Sequence, residues 1–86
     1  MADEVEIGQV THYFGHVQVA AIKLTDGDLA VGDTIHIKGH TSDFQQKVSS
    51  MQIDREDISR AEKGQEVGIR VDEQAREGDT VFKVSQ

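Results

Sequence analysis

The chain has 86 residues, a formal net charge of −7 and no cysteine. This length supports one small core, the missing cysteine excludes disulfides and thiolate metal sites, and the acidic balance disfavours DNA and other polyanions as partners. No stretch approaches the ~20 apolar residues of a membrane helix, and the acidic N-terminus lacks the basic start of a signal peptide. We therefore expect a cytoplasmic protein with no membrane contact.

The composition predicts strands joined by tight turns. The chain contains eight glycines, no proline and only two leucines, whereas the β-branched residues that favour pleated surfaces are common. Taken in chain order, apolar alternation predicts strands at residues 5–13, 17–24, around Ile35 and Ile37, and at 44–53, 65–71 and 81–84. Residues 1–86 are expected to form a single domain, with residues 1–4 disordered.

The alternation changes phase once in each of three long strands. The changes fall near Gly8, at Ala20-Ala21 and at Ser49-Ser50. An inserted residue, a β-bulge, would restore one buried face after each change, and small closed barrels use bulges to bend their strands. For residues 17–24 the alternative is a strand covered on both faces. The pattern favours an all-β fold closed into a small barrel.

Two Gly-Asp pairs, Gly32-Asp33 and Gly78-Asp79, lead into strands and predict one turn used twice. Glycine allows positive φ, and the Asp side chain can hydrogen-bond nearby backbone. Residues 54–64 begin with a capping Asp and end at Gly64, so either one or two helical turns or an ordered loop fits them.

Four segments follow one another in the order Leu29-x-x-Gly32-Asp33-x-Ile35-x-Ile37-x-Gly39, Val48-x-Ser50-Met51-Gln52-Ile53, Ala61-x-x-Gly64-x-x-Val67-Gly68-Ile69 and Gly78-Asp79-x-Val81. Together these segments resemble domain 2 of translational GTPases, of which elongation factor Tu is the best-known example. The resemblance spans residues 8–84 and is nearest to small stand-alone elongation-factor-like proteins; a similar module also ends some collagenase-like peptidases. It implies a closed β-barrel of six or seven strands with Greek-key-like connections, and a loop at residues 54–63. The resemblance also implies structural turn roles for Gly32, Asp33, Gly64, Gly68, Gly78 and Asp79.

Catalysis and metal binding find little support in the sequence. The chain lacks the Gly-Lys-Ser/Thr phosphate loop of a GTPase, and Ser49-Ser50 has no histidine or aspartate nearby in sequence. His36 and His40 would lie about 13 Å apart in an extended strand, too far for one ion. We therefore predict no enzyme, no catalytic residue, no metal and no cofactor.

Two adjacent aromatic residues, Tyr13 and Phe14, mark a candidate binding surface. In a regular strand two adjacent side chains cannot both face the core, so one of these aromatic residues is expected to be exposed. Exposed aromatic side chains stack the bases of single-stranded nucleic acid in proteins that bind it. The competing interpretation has Phe14 capping one barrel end and Tyr13 covering an edge. The candidate surface comprises His12, Tyr13, Phe14, His16, Lys23 and Arg70.

The expected function follows from the resemblance: a non-catalytic binding module that docks on a protein or ribonucleoprotein partner of the translation or RNA-modification machinery. The alternative is a weak binder of single-stranded RNA or the transfer RNA acceptor end, which the net charge disfavours. A monomer is favoured, although exposed sheet edges could pair into a dimer.

Overall fold

The computed structural model describes residues 3–85, and all the regular secondary structure in that range is β-strand. The ten strands are β1 (Asp3–Phe14), β2 (Val19–Leu24), β3 (Leu29–Ala30), β4 (Thr34–Lys38), β5 (Asp43–Lys47), β6 (Met51–Ile53), β7 (Glu56–Ile58), β8 (Arg60–Ala61), β9 (Glu66–Arg70) and β10 (Thr80–Ser85). The all-β prediction is confirmed, and residues 54–64 form turns and short strands with no helix. No membrane-crossing helix is present within residues 3–85.

Eight strands form one antiparallel sheet in the order β5-β4-β10-β1-β2-β9-β6-β7, and β3 pairs separately with β8. The expected closed barrel is therefore wrong: the sheet is open, with β5 and β7 as its edges. Within residues 3–85 no backbone ladder joins those two edges.

Although open, the sheet is strongly curled. Strands β5 and β6 are six strand spacings apart in the sheet, about 29 Å if the sheet were flat. The chain from Lys47 to Met51 can reach at most about 14 Å, so the ends of the sheet must approach each other. The Gln46 side chain connects β5 to the end of β9: its Nε2 donates to the Arg70 carbonyl at 2.9 Å, and its Oε1 accepts from the Asp72 N–H at 2.8 Å. One side-chain amide thus links the edge strand β5 to a strand that is distant from it in the sheet order.

The predicted long strand at residues 44–53 is two strands at opposite ends of the sheet. The change of phase in the apolar alternation of residues 44–53 marks the place where the chain crosses from β5 to β6. At the crossing, the Val48 N–H donates to the Asp33 carbonyl at 2.8 Å, and the Val48 carbonyl accepts from the Gly32 N–H at 2.9 Å.

Strand β1 carries two register shifts. The first, between Glu6 and Gly8 against β10, lies where the phase change predicts a bulge. The second, between Val10 and His12 against β2, is in β1 and not at Ala20-Ala21. The Thr11 hydroxyl donates to the Ala21 carbonyl at 3.2 Å beside this second shift.

The inner face of the curled sheet holds the core. The large side chains that are fully buried there include Ile22, Leu24, Leu29, Ile35, Ile37, Met51 and Ile69. The prediction of disorder at residues 1–4 is wrong for Asp3 and Glu4, which belong to β1. Residues 1–2 lie outside the described range.

The Gly-Asp turn occurs twice, as the sequence indicates. In the first, the Asp33 Oδ2 accepts from the Ala30 N–H at 2.9 Å; in the second, the Asp79 Oδ2 accepts from the Arg76 N–H at 2.8 Å. Both glycines have positive φ, 99° at Gly32 and 90° at Gly78.

A third turn of this kind is not recognisable as a Gly-Asp pair in the sequence, because a glutamine takes the place of the aspartate. The Gln65 Oε1 accepts from the Glu62 N–H at 2.8 Å, and Gly64, with a φ of 97°, occupies the position of Gly32. Glutamine thus replaces aspartate in the same hydrogen-bonding role.

We expect Gly32→Val to lower the free energy of unfolding by about 1–3 kcal/mol, because a β-branched side chain is strained at positive φ. Space is not the cause, since within residues 3–85 no heavy atom beyond those of Gly32 and its two chain neighbours lies within 4 Å of where the Cβ would stand. Chemical denaturation measures the loss. Gly32→Asn, which tolerates positive φ, should lose less, and equal losses for the two variants would contradict this explanation.

Candidate functional site

Phe14, Val19 and Arg70 form one row across the outer face of the sheet. Phe14 pairs with Val19 in β2, and Val19 pairs with Arg70 in β9. Directly paired residues of neighbouring antiparallel strands project from the same face. The structure therefore brings together Phe14 and Arg70, two of the residues that the sequence singled out.

His12 packs beside this row. Its ring centroid lies 4.4 Å from that of Phe14, and its Nδ1 lies 3.0 Å from the Glu77 Oε1. His16 is exposed in the turn that joins β1 to β2. Both histidines remain near the proposed surface, at its solvent side.

Two members of the predicted surface lie elsewhere. Tyr13 is half-buried and packs against the core, because alternation turns it away from the face that carries Phe14. Lys23 lies four residues from Val19 along β2, about 13 Å away, and its Nζ donates to the Gly64 carbonyl at 2.8 Å. The predicted surface is therefore corrected at Tyr13 and Lys23.

A half-open groove of about 250 Å³ lies beside Arg70 on the outer face. Its lining residues are Val17, Val19, Ser50, Gln52, Gly68 and Arg70. Val17 lies in the β1–β2 turn and Val19 in β2. Ser50 directly precedes β6 and Gln52 lies in it, on the other side of β9. Of the lining residues, only Arg70 was placed in the binding surface from sequence.

Gly68 provides room for the groove. It is a strand residue of β9, so the expected structural turn at Gly68 is wrong. A Cβ at this position would lie 3.3 Å from the Val19 Cγ1 and 3.8 Å from the Gln52 carbonyl oxygen. A side chain here would therefore occupy the groove. The signal in the sequence was a glycine between Val67 and Ile69, since glycine inside a strand can mark close approach of a ligand or backbone.

Charge and apolar surface meet at this groove. Within residues 3–85 the Arg70 guanidinium forms no ion pair. Phe14 and Val17, which flank the groove, are 49% and 58% exposed. The Gln52 Nε2 donates to the Asp57 Oδ1 at 2.9 Å, which leaves the side-chain oxygen, Oε1, to accept from another donor. The groove can thus receive an anionic group and an apolar group side by side.

Nucleophile and metal candidates do not assemble within the described part of the chain. Ser49 and Ser50 are exposed, and neither hydroxyl is hydrogen-bonded to a histidine or carboxylate there. Residues 3–85 contain no group of three or more His, Asp or Glu side chains that could hold a metal ion.

His36 joins three strands on another part of the surface. Its Nδ1 contacts the Glu4 Oε1 at 2.8 Å, and its Nε2 contacts the Asp43 Oδ1 at 2.5 Å. Only an imidazolium can donate from both nitrogens. The hydrogen bond to Asp43, and then that to Glu4, raises the pKa of His36 above its ordinary value of 6.5, while burial opposes the shift.

We expect the His36 contribution to stability to be fully present below about pH 6.5 and lost as the pH rises through the higher folded-state pKa. The measurement is the difference in unfolding free energy between the protein and His36→Gln at pH 5.5 and at pH 8.5. The difference should be larger at pH 5.5. A difference that is constant, or larger at pH 8.5, would contradict an imidazolium held by Glu4 and Asp43.

Two proteins similar in sequence to this chain carry peptidase names. It is 40% identical over 84 residues to an uncharacterized protease of Methanocaldococcus jannaschii and 31% identical over 81 residues to a collagenase of Porphyromonas gingivalis. These alignments cover 96% and 93% of this chain but 20% of each relative. The chain thus spans about a fifth of the length of these relatives. No protein-family model matches it.

The fold is similar to that in two solved structures of the C-terminal domain of "Geobacillus thermoleovorans putative U32 peptidase". Both have a TM-score of 0.83 and cover 90% of this chain, with 96% and 89% of the solved chains included. Sequence identity is 16% and 18%, so this likeness is one of fold alone.

These matches overturn the resemblance to translation elongation factors, together with the translation-type binding module and RNA-binding alternative drawn from it. They agree with the other resemblance, to a module that ends collagenase-like peptidases. The Gly-Asp turns and alternating strands on which the resemblance to elongation factors was based specify local β geometry alone. Proteins with similar folds can have different functions.

Proposed function

We propose that this chain is a non-catalytic domain of a collagenase-like peptidase, and that it binds the peptide substrate beside a separate catalytic unit. One observation carries the proposal: 96% of the chain aligns, at 40% identity, with a fifth of a protein named a protease. The remaining four fifths of that relative leave room for catalysis elsewhere.

The surface chemistry supports a binding role over a hydrolytic one. Peptide hydrolysis by a hydroxyl nucleophile needs a base within hydrogen-bond reach, and Ser50 has none among residues 3–85. The groove beside Ser50 instead presents exposed apolar side chains and the Arg70 guanidinium, which forms no ion pair in the part of the chain that the structure describes. A peptide chain offers matching apolar side chains, backbone hydrogen-bonding groups and a carboxylate.

The relatives named collagenase point to the substrate class. We assign unfolded, collagen-type polypeptide as the substrate that this chain binds. An unfolded polypeptide can lie extended along an outer sheet face more easily than a triple helix can.

The test adds heat-unfolded collagen to the isotopically labelled chain. Amide resonances of β2, β6 and β9 should shift, while mass spectrometry of the polypeptide should show no new fragments after prolonged incubation. Cleavage that co-purifies with the chain would overturn the non-catalytic assignment, and an unchanged spectrum would overturn the binding role.

A further inference from the structure

We propose that the outer-face groove binds the carboxyl-terminal residue of a peptide, with its α-carboxylate on Arg70 and its apolar side chain between Val17 and Val19. The proposal rests on the proposed function and specifies which part of a peptide is recognised. Each hydrolysed peptide bond creates a new carboxyl terminus, so such a site would recognise a product of the peptidase reaction.

The size of the groove fits a terminal residue better than a long segment. Its volume is about 250 Å³, below the roughly 300–1,000 Å³ of pockets that enclose whole drug-sized ligands. The absent side chain at Gly68 leaves the space between Val19 and Gln52 open. One terminal side chain, with the adjoining peptide unit, can occupy this space.

Charge complementarity argues for the carboxylate. The chain carries 16 acidic residues against nine basic ones. Despite this excess of acidic side chains, Arg70 forms no ion pair within residues 3–85. A guanidinium binds a carboxylate through two parallel hydrogen bonds, which an internal peptide unit cannot offer.

Apolar contact argues for the side chain of that terminal residue. Val17 is 58% exposed at the rim, and Val19 is half-buried beside it. An apolar side chain placed between them would remove both from water. Polar groups on the opposite side, the Ser50 hydroxyl and the side-chain oxygen of Gln52, can bond the last peptide unit.

RNA is the competing occupant, because a phosphate would also bind Arg70. The net charge of −7 repels a polyanion, and among residues 3–85 Arg70 is the one cationic side chain that lines the groove. The peptide terminus, with a single negative charge, is the better match.

The experiment titrates the isotopically labelled chain with acetyl-Gly-Gly-Leu as the free acid and, separately, as the carboxamide. The free acid should shift the amide resonances of Val19, Ser50, Gln52, Gly68 and Arg70. The carboxamide should bind at least about tenfold more weakly than the free acid. A hexamer of uridine provides the RNA arm. Equal affinity for acid and amide, or salt-dependent shifts caused by RNA alone, would overturn the proposal.

Variants separate the two parts of the site. Arg70→Gln should lower the affinity for the free acid about tenfold and leave the amide unchanged, and Val17→Ser should weaken both. Arg76→Gln is the matched control, because Arg76 is an exposed cation outside the groove. An Arg70→Gln variant with full affinity for the free acid would contradict the assignment.

The outcome also distinguishes this inference from the proposed function. If unfolded collagen binds but the free acid has no advantage over its amide, the substrate-binding role stands and carboxyl-terminal recognition fails. If the chain itself hydrolyses the peptide, the proposed function fails.

Discussion

Replacing Gln46 by methionine should lower the free energy of unfolding by about 2–4 kcal/mol, because two backbone groups lose their partners at once. The Arg70 carbonyl and the Asp72 N–H both bond the Gln46 amide, whose residue is only 9% exposed. Methionine has a similar shape but can satisfy neither group. In a chain of this length the loss corresponds to a fall in melting temperature of about 10 °C or more.

Gln45→Met is the matched control for this prediction. Gln45 is the exposed neighbour on the same edge strand, where alternation turns it away from Arg70 and Asp72. Its substitution should change stability by less than about 0.5 kcal/mol. Similar melting temperatures for the two variants would show that the side-chain bridge does not hold the curled sheet together.

The second large effect is expected at Gly8. An alanine Cβ there would stand 2.2 Å from the carbonyl oxygen of Lys23 in the neighbouring strand, so β1 and β2 would have to separate locally. The obstacle is backbone and cannot rotate away. We expect Gly8→Ala to lower the free energy of unfolding by about 2–4 kcal/mol.

The control for Gly8 is Gly15→Ala, in the exposed turn between β1 and β2. The nearest atom to its Cβ would be a Tyr13 ring carbon at 3.7 Å, an ordinary contact. This variant should unfold within about 0.5 kcal/mol of the parent in urea. If Gly8→Ala were equally stable, the close strand approach at the first register shift would be contradicted.

Local geometry was predictable from the sequence where one residue type determines it. Gly32 and Gly78 need positive φ, and the aspartate that follows each can bond the backbone three residues earlier, so the repeated turn was visible. The Gln65 version was not, because only the fold shows that a glutamine amide can reach the same N–H.

Long-range pairing was less predictable. A phase change in apolar alternation is the same signal whether a strand bulges, as near Gly8, or leaves the sheet, as at Val48. The distinction depends on which strands pair, and alternation within one strand carries no information about its neighbours. For the same reason, the closure of the barrel could not be decided from the phase changes.

The candidate site was predictable only in its outer members. The adjacency of Tyr13 and Phe14 predicted that one of the two is exposed, and the structure shows that it is Phe14. Arg70 was predicted from its outward position in a clean strand. Ser50 and Gln52 join them because the chain crosses from β5 to β6, which is a consequence of topology. Lys23 was placed wrongly because it lies on the same face of the same strand as Val19 but about 13 Å away along that strand.

The claim that the outer-face groove binds the carboxyl terminus of a peptide without cleaving that peptide is tested most directly by one time course. The labelled chain is mixed with acetyl-Gly-Gly-Leu, and its amide spectrum is recorded repeatedly over a day. The account predicts that the amides of Gly68 and Arg70 shift at once and keep their shifted positions, because the peptide is bound and not consumed. Amides that never move, or that return to their free positions as the peptide is hydrolysed, would contradict it.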